Sequence, residues 1–122
     1  MTYLRLASVH RKIYKGNEGE IWEMFKNKRF ITKGVSSQVG LLLQLFMWQC
    51  IDEMKVPKDY LQVFQLPLED GKQKIIHTQE FFDKPEYKRE YLLKLADTPI
   101  FIGKIFVIDD GEHSTMMLAS EY

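Results

Sequence analysis

The residues best equipped for chemistry lie in one short run, Asp109-Asp110-Gly111-Glu112-His113-Ser114-Thr115. If Asp110-Gly111 forms a two-residue turn, Asp109 faces Glu112 across the paired strands. Like charges placed directly opposite are destabilising unless a cation lies between them, so a divalent ion held by the two carboxylates is one interpretation. The other is a turn without a ligand. We favour the turn, because the run lacks the calcium-loop spacing D-x-[DN]-x-[DN]-G.

His77 and His113 are the histidines that a catalytic site in this part of the chain would use. His113 and Ser114 are adjacent on a predicted strand, so their side chains point to opposite faces and cannot form a base–nucleophile pair unaided. We therefore expect His113 to be a half-buried packing residue. A metal-assisted hydrolase is the alternative, and it needs His77, Glu80, Asp109 and His113 to converge from two separate hairpins.

General catalytic motifs are missing from the sequence. It contains no glycine-rich phosphate loop, no Cys/His zinc spacing and no nucleophile elbow. Cys50 has no second cysteine to pair with and falls on the apolar face of a predicted helix, where we expect an inert thiol. We expect no metal and no cofactor, and the balance leans away from an enzyme.

A basic segment offers a weak nucleic-acid hypothesis. Basic residues interleave with Phe25 and Phe30, as on surfaces that bind nucleic acid. They are Lys26, Lys28, Arg29 and Lys33, and Lys28, Arg29 and Lys33 are the candidate contacts. The whole chain has 17 Lys/Arg against 17 Asp/Glu and no net charge, which argues against a dedicated binder. We favour a solvated first strand and do not expect a nucleic-acid partner.

A central helix must position these groups. Leu41–Met54 is the longest apolar run, and we place the helix at about residues 38–55, with Ser36 or Ser37 as its N-cap and Val56-Pro57 ending it. At about 100° per residue, one face collects the predicted core stripe. Its members are Leu43, Phe46, Met47, Cys50, Ile51 and Met54.

The same helix is more apolar than one sheet face can cover. Leu41, Leu45 and Trp48 lie outside the core stripe, so the N-terminal segment, a loop or another subunit must shield them. We predict that they form an interaction surface for a protein partner or a homo-oligomer. The helix is too short to span a bilayer, which needs about 20 apolar residues.

Strands account for most of the remaining chain. Glu69-Asp70-Gly71 and Asp110-Gly111 are hairpin turns between alternating apolar runs. Residues 83–96 fit a helix or a strand, and we favour a strand because it continues an antiparallel meander. The predicted strands cover residues 28–35, 59–68, 72–82, 83–96, 104–108 and 114–119. The fold class is therefore α+β, an antiparallel sheet of five to six strands with one main helix on one face.

Residues 1–23 differ from the rest and are interpreted as an N-terminal extension preceding a single domain over residues 24–122. Glu18-Gly19-Glu20 is encodable as a string that contains a bacterial ribosome-binding site, and Met24 follows four codons later. We therefore hypothesise that Met24 is the natural start. The chain shows no signal peptide, and we expect a cytoplasmic protein.

Several short motifs resemble one protein family. They are Asn27-Lys28-Arg29-Phe30, Leu43-Gln44-Leu45, Trp48-Gln49, Ile51-Asp52, Asp59-Tyr60-Leu61-Gln62-Val63-Phe64, His77, Pro85-Glu86-Tyr87, Ile108-Asp109-Asp110-Gly111, His113-Ser114-Thr115-Met116 and Glu121-Tyr122. Together they resemble the Gram-positive bacterial domain-of-unknown-function family numbered 960, over about residues 25–122. The resemblance implies a small α+β domain and no particular chemistry.

Overall fold

The computed structural model describes residues 24–79, 86–94 and 97–122. The predicted extension over residues 1–23 lies outside these ranges. The described strands are β1 (Lys28–Ile31), β2 (Leu61–Leu66), β3 (Leu68–Glu69), β4 (Lys72–Gln79), β5 (Tyr87–Leu93), β6 (Gly103–Asp109) and β7 (His113–Leu118). The described helices are α1 (Lys33–Gln38), α2 (Leu41–Asp52) and a 3₁₀ turn, Ala119–Glu121. The predicted α+β class with one main helix is confirmed.

The described strands form one mixed sheet. Its order is β1-β7-β6-β2-β4, with β5 on the far side of β4 and the short β3 also paired to β4. Every pairing is antiparallel except β1 with β7, which is parallel. The prediction of five to six antiparallel strands is therefore wrong in number and in one direction. Local sequence patterns can indicate a hairpin, because its two strands are close in sequence. The parallel strands β1 and β7 are separated by most of the chain, so no local pattern indicates their pairing.

The predicted hairpins are present, with one change of geometry. Asp70 and Gly71 have φ values of 53° and 73°, the left-handed pair that a type I′ turn requires. In the second hairpin, Asp110 N donates to His113 O at 3.0 Å, and Asp109 pairs with Ser114. The turn is therefore centred on Gly111-Glu112, one residue later than the predicted Asp110-Gly111 turn, and Asp109 does not face Glu112.

The helical region starts earlier and is divided. Thr32 ends β1, and its Oγ1 accepts a hydrogen bond from Val35 N at 3.3 Å, which caps α1. Ser36 and Ser37 lie inside α1 and are not the N-cap of the main helix, which is Gly40. The predicted strand over residues 28–35 is thus half helix, and α2 is shorter than the predicted 38–55. No helix in the described ranges is long and apolar enough to cross a membrane.

The core lies between α2 and one face of the sheet. Five of the six predicted stripe residues are buried, and the sixth, Phe46, packs against the same cluster. The strand residues buried in the same cluster are Phe64, Leu66, Ile75, Ile105, Val107, Met116 and Leu118. The predicted core stripe is confirmed, because the 3.6-residue period of the apolar positions decides which side of α2 meets the sheet.

The sheet curls around α2. At one edge, Arg29 of β1 forms a bidentate ion pair with Asp52 of α2. At the other edge, Tyr91 of β5 packs edge-on against Phe46, with ring centroids 5.1 Å apart. Five strand spacings separate these edges, about 24 Å in a flat sheet, whereas a helix with its side chains is only about 10 Å across. The outer strip of α2 therefore lies in the gap between the two edge strands.

Candidate functional site

Three leucines on the first half of α2 form the largest exposed apolar feature of the helix. Leu41, Leu42 and Leu45 retain 65%, 57% and 53% of their accessible surface. They lie within about 100° of one another around the helix, because three- and four-residue steps return to the same side. We call these three residues the leucine surface. It contains two of the three residues predicted to form an interaction surface.

The third predicted residue, Trp48, does not belong to that surface. Its exposed fraction is 8%, and the Arg29 guanidinium lies over its ring at 4.5 Å from the centroid. The prediction assumed that one sheet face covers a single stripe of the helix. The curled sheet brings β1 over Trp48, and Arg29 covers the indole with its charge held by Asp52.

A neighbouring loop contacts the start of α2 and exposes further apolar side chains. A Cβ added at Gly40 would lie 2.9 Å from Thr98 Cγ2, so the loop and the helix start are in close contact. Ile100 and Ile102 follow in this loop and are exposed. Ile100 also lines an open cavity of about 620 Å³. Its other described lining residues are Asp70, Gly71, Lys72, Gln73, Leu93 and Lys94.

His77 is buried in the core face of the sheet. Its ring stacks on Phe64 with centroids 4.2 Å apart, and Tyr87 meets it edge-on at 5.1 Å. Burial lowers the pKa of His77 from 6.5 to about 3, and the positive charge of Arg89 on the adjacent strand adds to the effect. The imidazole is therefore neutral at physiological pH.

Buried amides fix the tautomer of that imidazole. Gln62 Nε2 donates to Gln79 Oε1 at 2.8 Å and to Asp59 O at 3.0 Å, so the carbonyl of the Gln62 amide faces His77. His77 Nε2 lies 2.7 Å from Gln62 Oε1 and must carry the proton. Nδ1 is then an acceptor, and it has no hydrogen-bond partner among the described residues. The arrangement holds a neutral ring in place and offers no open position for a substrate.

Asp109 is also buried, and it organises the backbone around it. Its carboxylate accepts hydrogen bonds from Phe25 N at 2.8 Å, Asn27 Nδ2 at 3.0 Å and Gly111 N at 2.8 Å. Phe25 has a φ of 64°, a left-handed conformation that costs free energy for a non-glycine residue. Asp109 thus joins the approach to β1 with the β6–β7 turn, and Glu112 is not opposite it.

His113 lies on the opposite face of the sheet, half-buried. Its ring meets Phe30 edge-on with centroids 5.3 Å apart, and Nδ1 lies 3.2 Å from Asp110 Oδ2. The structure does not bring His77, Asp109 and His113 together. His77 lies on β4 and faces α2, whereas His113 lies on β7, three strand positions away, and faces outward. Glu80 lies outside the described residues.

Metal-binding geometry is likewise missing from the described ranges, where no three His, Cys, Asp or Glu side chains lie close enough to hold one ion. The basic candidates are also divided. Arg29 is engaged with Asp52 and Trp48, Lys28 is exposed on β1, and Lys33 begins α1. They do not form the continuous basic groove that follows a nucleic-acid backbone.

Comparison with known proteins decides the family. The family described as "Staphylococcal protein of unknown function (DUF960)" matches residues 28–121. The chain belongs to this family. The match covers both hairpins, α2 and the leucine surface, whereas Phe25 and Asn27, which donate to Asp109, lie just before it.

A solved structure has the same fold as this DUF960 chain. It is entitled "Crystal structure of the protein of unknown function from Enterococcus faecalis" and is 25% identical in sequence. The likeness covers 80% of this chain and 92% of that one, with a TM-score of 0.68. No curated protein matches the DUF960 chain.

Two features of this DUF960 chain were not predicted from its sequence. Leu42 belongs to the leucine surface but was not predicted there, although its helical angle places it beside Leu45 on the outer side. The buried amide network was also missed. The alternation of β2 already indicated this network, because it placed the polar Gln62 on the same face as the apolar Phe64 and Leu66.

Proposed function

We propose that this protein is a small, non-enzymatic cytoplasmic interaction protein that uses the leucine surface to self-associate or to bind a protein partner. The observation that carries the proposal is the exposure of Leu41, Leu42 and Leu45 on a helix whose other apolar side chains are buried or half-buried. Contiguous exposed apolar side chains are typical of interaction sites.

The position of the leucine surface supports the same conclusion. The outer strip of α2 is polar at its C-terminal end, where Gln49 Nε2 donates to Glu53 Oε2 at 2.8 Å, and apolar at its N-terminal end. A partner that covers only the N-terminal half of the helix therefore buries leucines without desolvating charges. Fully burying a leucine side chain contributes about 1.5–3 kcal/mol.

Leu45→Glu tests the proposal. Glutamate is as good a helix former as leucine, so the substitution should leave the fold intact while placing a charge in the middle of the leucine surface. We expect Leu45→Glu to lose self-association in sedimentation velocity, or to lose a partner that cross-links to the wild-type protein in its native cell. Trp48→Glu is unsuitable, because it would bury a charge in the core.

Ser36→Glu is the matched control, since it adds the same charge at an exposed helical position away from the leucine surface. It should behave as the wild-type protein does. Equal behaviour of Leu45→Glu and wild type in both measurements would refute the proposal.

A further inference from the structure

The β5 strand presents a backbone edge that no other described strand pairs with. Lys74 N donates to Pro67 O at 3.0 Å, so Lys74 and its alternate neighbours in β4 face β2 and β3. The other residues of β4 face β5, where Tyr87, Arg89, Tyr91 and Leu93 are their register partners. The N–H and C=O groups of Lys88, Glu90 and Leu92 therefore point away from the sheet.

The two edges of the sheet are not equally protected. The other edge strand, β1, has four residues and is followed directly by α1, so only Arg29 and Ile31 direct backbone groups outward. Short edge strands prevent pairing, and an edge lysine does so unless an opposite charge of the added strand meets it. The β5 strand has seven residues, contains no proline, and pairs with β4 without interruption. Among the described strands, it is the edge that remains open to strand addition.

The charges on this edge are self-complementary in one direction. Lys88 and Glu90 are exposed and lie on the face opposite α2, two residues apart. If two such strands run antiparallel, Lys88 of each lies opposite Glu90 of the other. If they run parallel in the same register, lysine meets lysine and glutamate meets glutamate, which is unfavourable.

We infer that β5 pairs antiparallel with β5 of a second copy across a two-fold axis, with Lys88 of each chain opposite Glu90 of the other. This rests on the proposed function and deepens it by naming the partner as a second copy and the contact as an added strand. The two sheets then join into one, a mode of association that uses main-chain hydrogen bonds for affinity.

The contacts around the axis are compatible with this pairing. Arg89 lies at the centre, opposite Arg89 of the second copy, and like charges so placed oppose pairing unless the side chains turn aside. Its guanidinium lies over the Tyr87 ring of its own strand, 4.8 Å from the centroid. Arg89 Nη1 donates to Lys88 O at 3.0 Å. A carbonyl oxygen has two lone pairs, so Lys88 O can also accept the N–H of the second copy.

The pairing of β5 with β5 also determines where the leucine surfaces lie relative to the two-fold axis. A two-fold axis perpendicular to the joined sheet places both copies of α2 on one face. Phe46, which contacts Tyr91 of β5, marks the flank of α2 that points toward the axis. Leu42 lies one turn before Phe46 on that flank and is exposed.

Charge exchange provides the test, with sedimentation equilibrium of the full chain as the measurement. Lys88→Glu alone and Glu90→Lys alone should each raise the dimer dissociation constant about tenfold, since two symmetry-related pairs turn from attractive to repulsive. The double variant Lys88→Glu/Glu90→Lys should recover wild-type dimerisation, because each pair is restored with its signs exchanged.

Glu69→Lys is the matched control. Glu69 and Glu90 both pair with Lys74, at 2.8 and 2.9 Å, but Glu69 lies off β5, so its loss should leave dimerisation unchanged. A monomeric wild type, a failure of the double variant to recover, or equal effects of Glu69→Lys and Glu90→Lys would each overturn the inference. Loss of association in Leu45→Glu with none in Lys88→Glu would overturn it while leaving the proposed function standing.

Discussion

His77 shows how a residue type associated with chemistry can serve the core. Its ring is enclosed by Phe64 and Tyr87, and its proton is held by the Gln62 amide. The alternation of β4 places His77 on the core face, and the same alternation in β7 places His113 on the outer face. Strand parity alone therefore places the two histidines on opposite faces of the sheet.

Acid should weaken the fold through His77. The folded state keeps the ring neutral down to about pH 3, whereas the unfolded chain binds a proton near pH 6.5, so His77 contributes stability above pH 6.5 that is lost as the pH falls toward 3. Between neutral pH and pH 5 this loss is about 2 kcal/mol. Urea unfolding at a series of pH values should show it in the wild-type protein and not in His77→Phe.

His77→Phe is also informative at neutral pH. Phenylalanine keeps the stacking but leaves Gln62 Oε1 without its donor, so we expect a loss of about 1–3 kcal/mol. A wild type and a His77→Phe variant with parallel pH profiles would contradict a buried neutral ring.

At the scale of the elements, local sequence patterns predicted correctly those elements that depend on contacts between residues close in sequence. The core stripe of α2 and both hairpins follow from residue periodicity and turn residues that act over a few positions. The strand over residues 87–93 is confirmed, although its apolar spacing also fits a helix. Pairing with β4 along its whole length decides in favour of the strand.

Elements set by distant contacts were not predictable in the same way. The end of β1 and the start of α1 depend on Thr32, whose backbone N–H bonds to Met116 O and whose hydroxyl bonds to Glu121, near the other end of the chain. The burial of Trp48 depends on the curl of the sheet. Neither the hydrogen-bond partners of Asp109 nor the exclusion of Trp48 from the leucine surface could be predicted without knowing which strands are neighbours.

The β3–β4 turn allows a test of backbone strain at one element. Gly71 has a φ of +73°, and a Cβ added there meets no atom within 4 Å, so a substitution costs only conformational energy. We expect Gly71→Ala to lower the free energy of unfolding by about 1–2 kcal/mol. Asparagine tolerates the left-handed region, so Gly71→Asn should lose less. Urea midpoints measure both, and equal losses would exclude strain as the cause.

At the scale of the whole molecule, Glu121 holds the two ends of the described chain together. Its carboxylate accepts hydrogen bonds from Thr32 Oγ1 at 2.6 Å, Gly34 N at 3.0 Å and Leu118 N at 2.8 Å. Burial acts to raise the pKa of Glu121, but the hydrogen bonds from Thr32, Leu118 and Gly34 outweigh it and lower the pKa below 4.5. The carboxylate therefore stabilises the fold above pH 4.5, and this contribution is lost as the pH falls through the lowered value.

Removing this carboxylate should loosen the β1–α1 corner. We expect Glu121→Ala to lower the free energy of unfolding by about 1–3 kcal/mol at neutral pH, since three donors lose their acceptor. Ser120→Ala, at an exposed neighbouring position, should have little effect. Thermal melts of both variants provide the measurement, and an unchanged melting temperature for Glu121→Ala would show that solvent replaces these bonds.

The parallel partner of β1 has a consequence for how the protein is made. A ribosome synthesises Lys28–Ile31 more than 80 residues before Ser114 and Met116 emerge to bond with them. The first strand must wait, unpaired, while both later hairpins close beside it. Docking of β1 is thus a late step of maturation. A translation product that stops before His113 lacks β7, the strand with which β1 pairs.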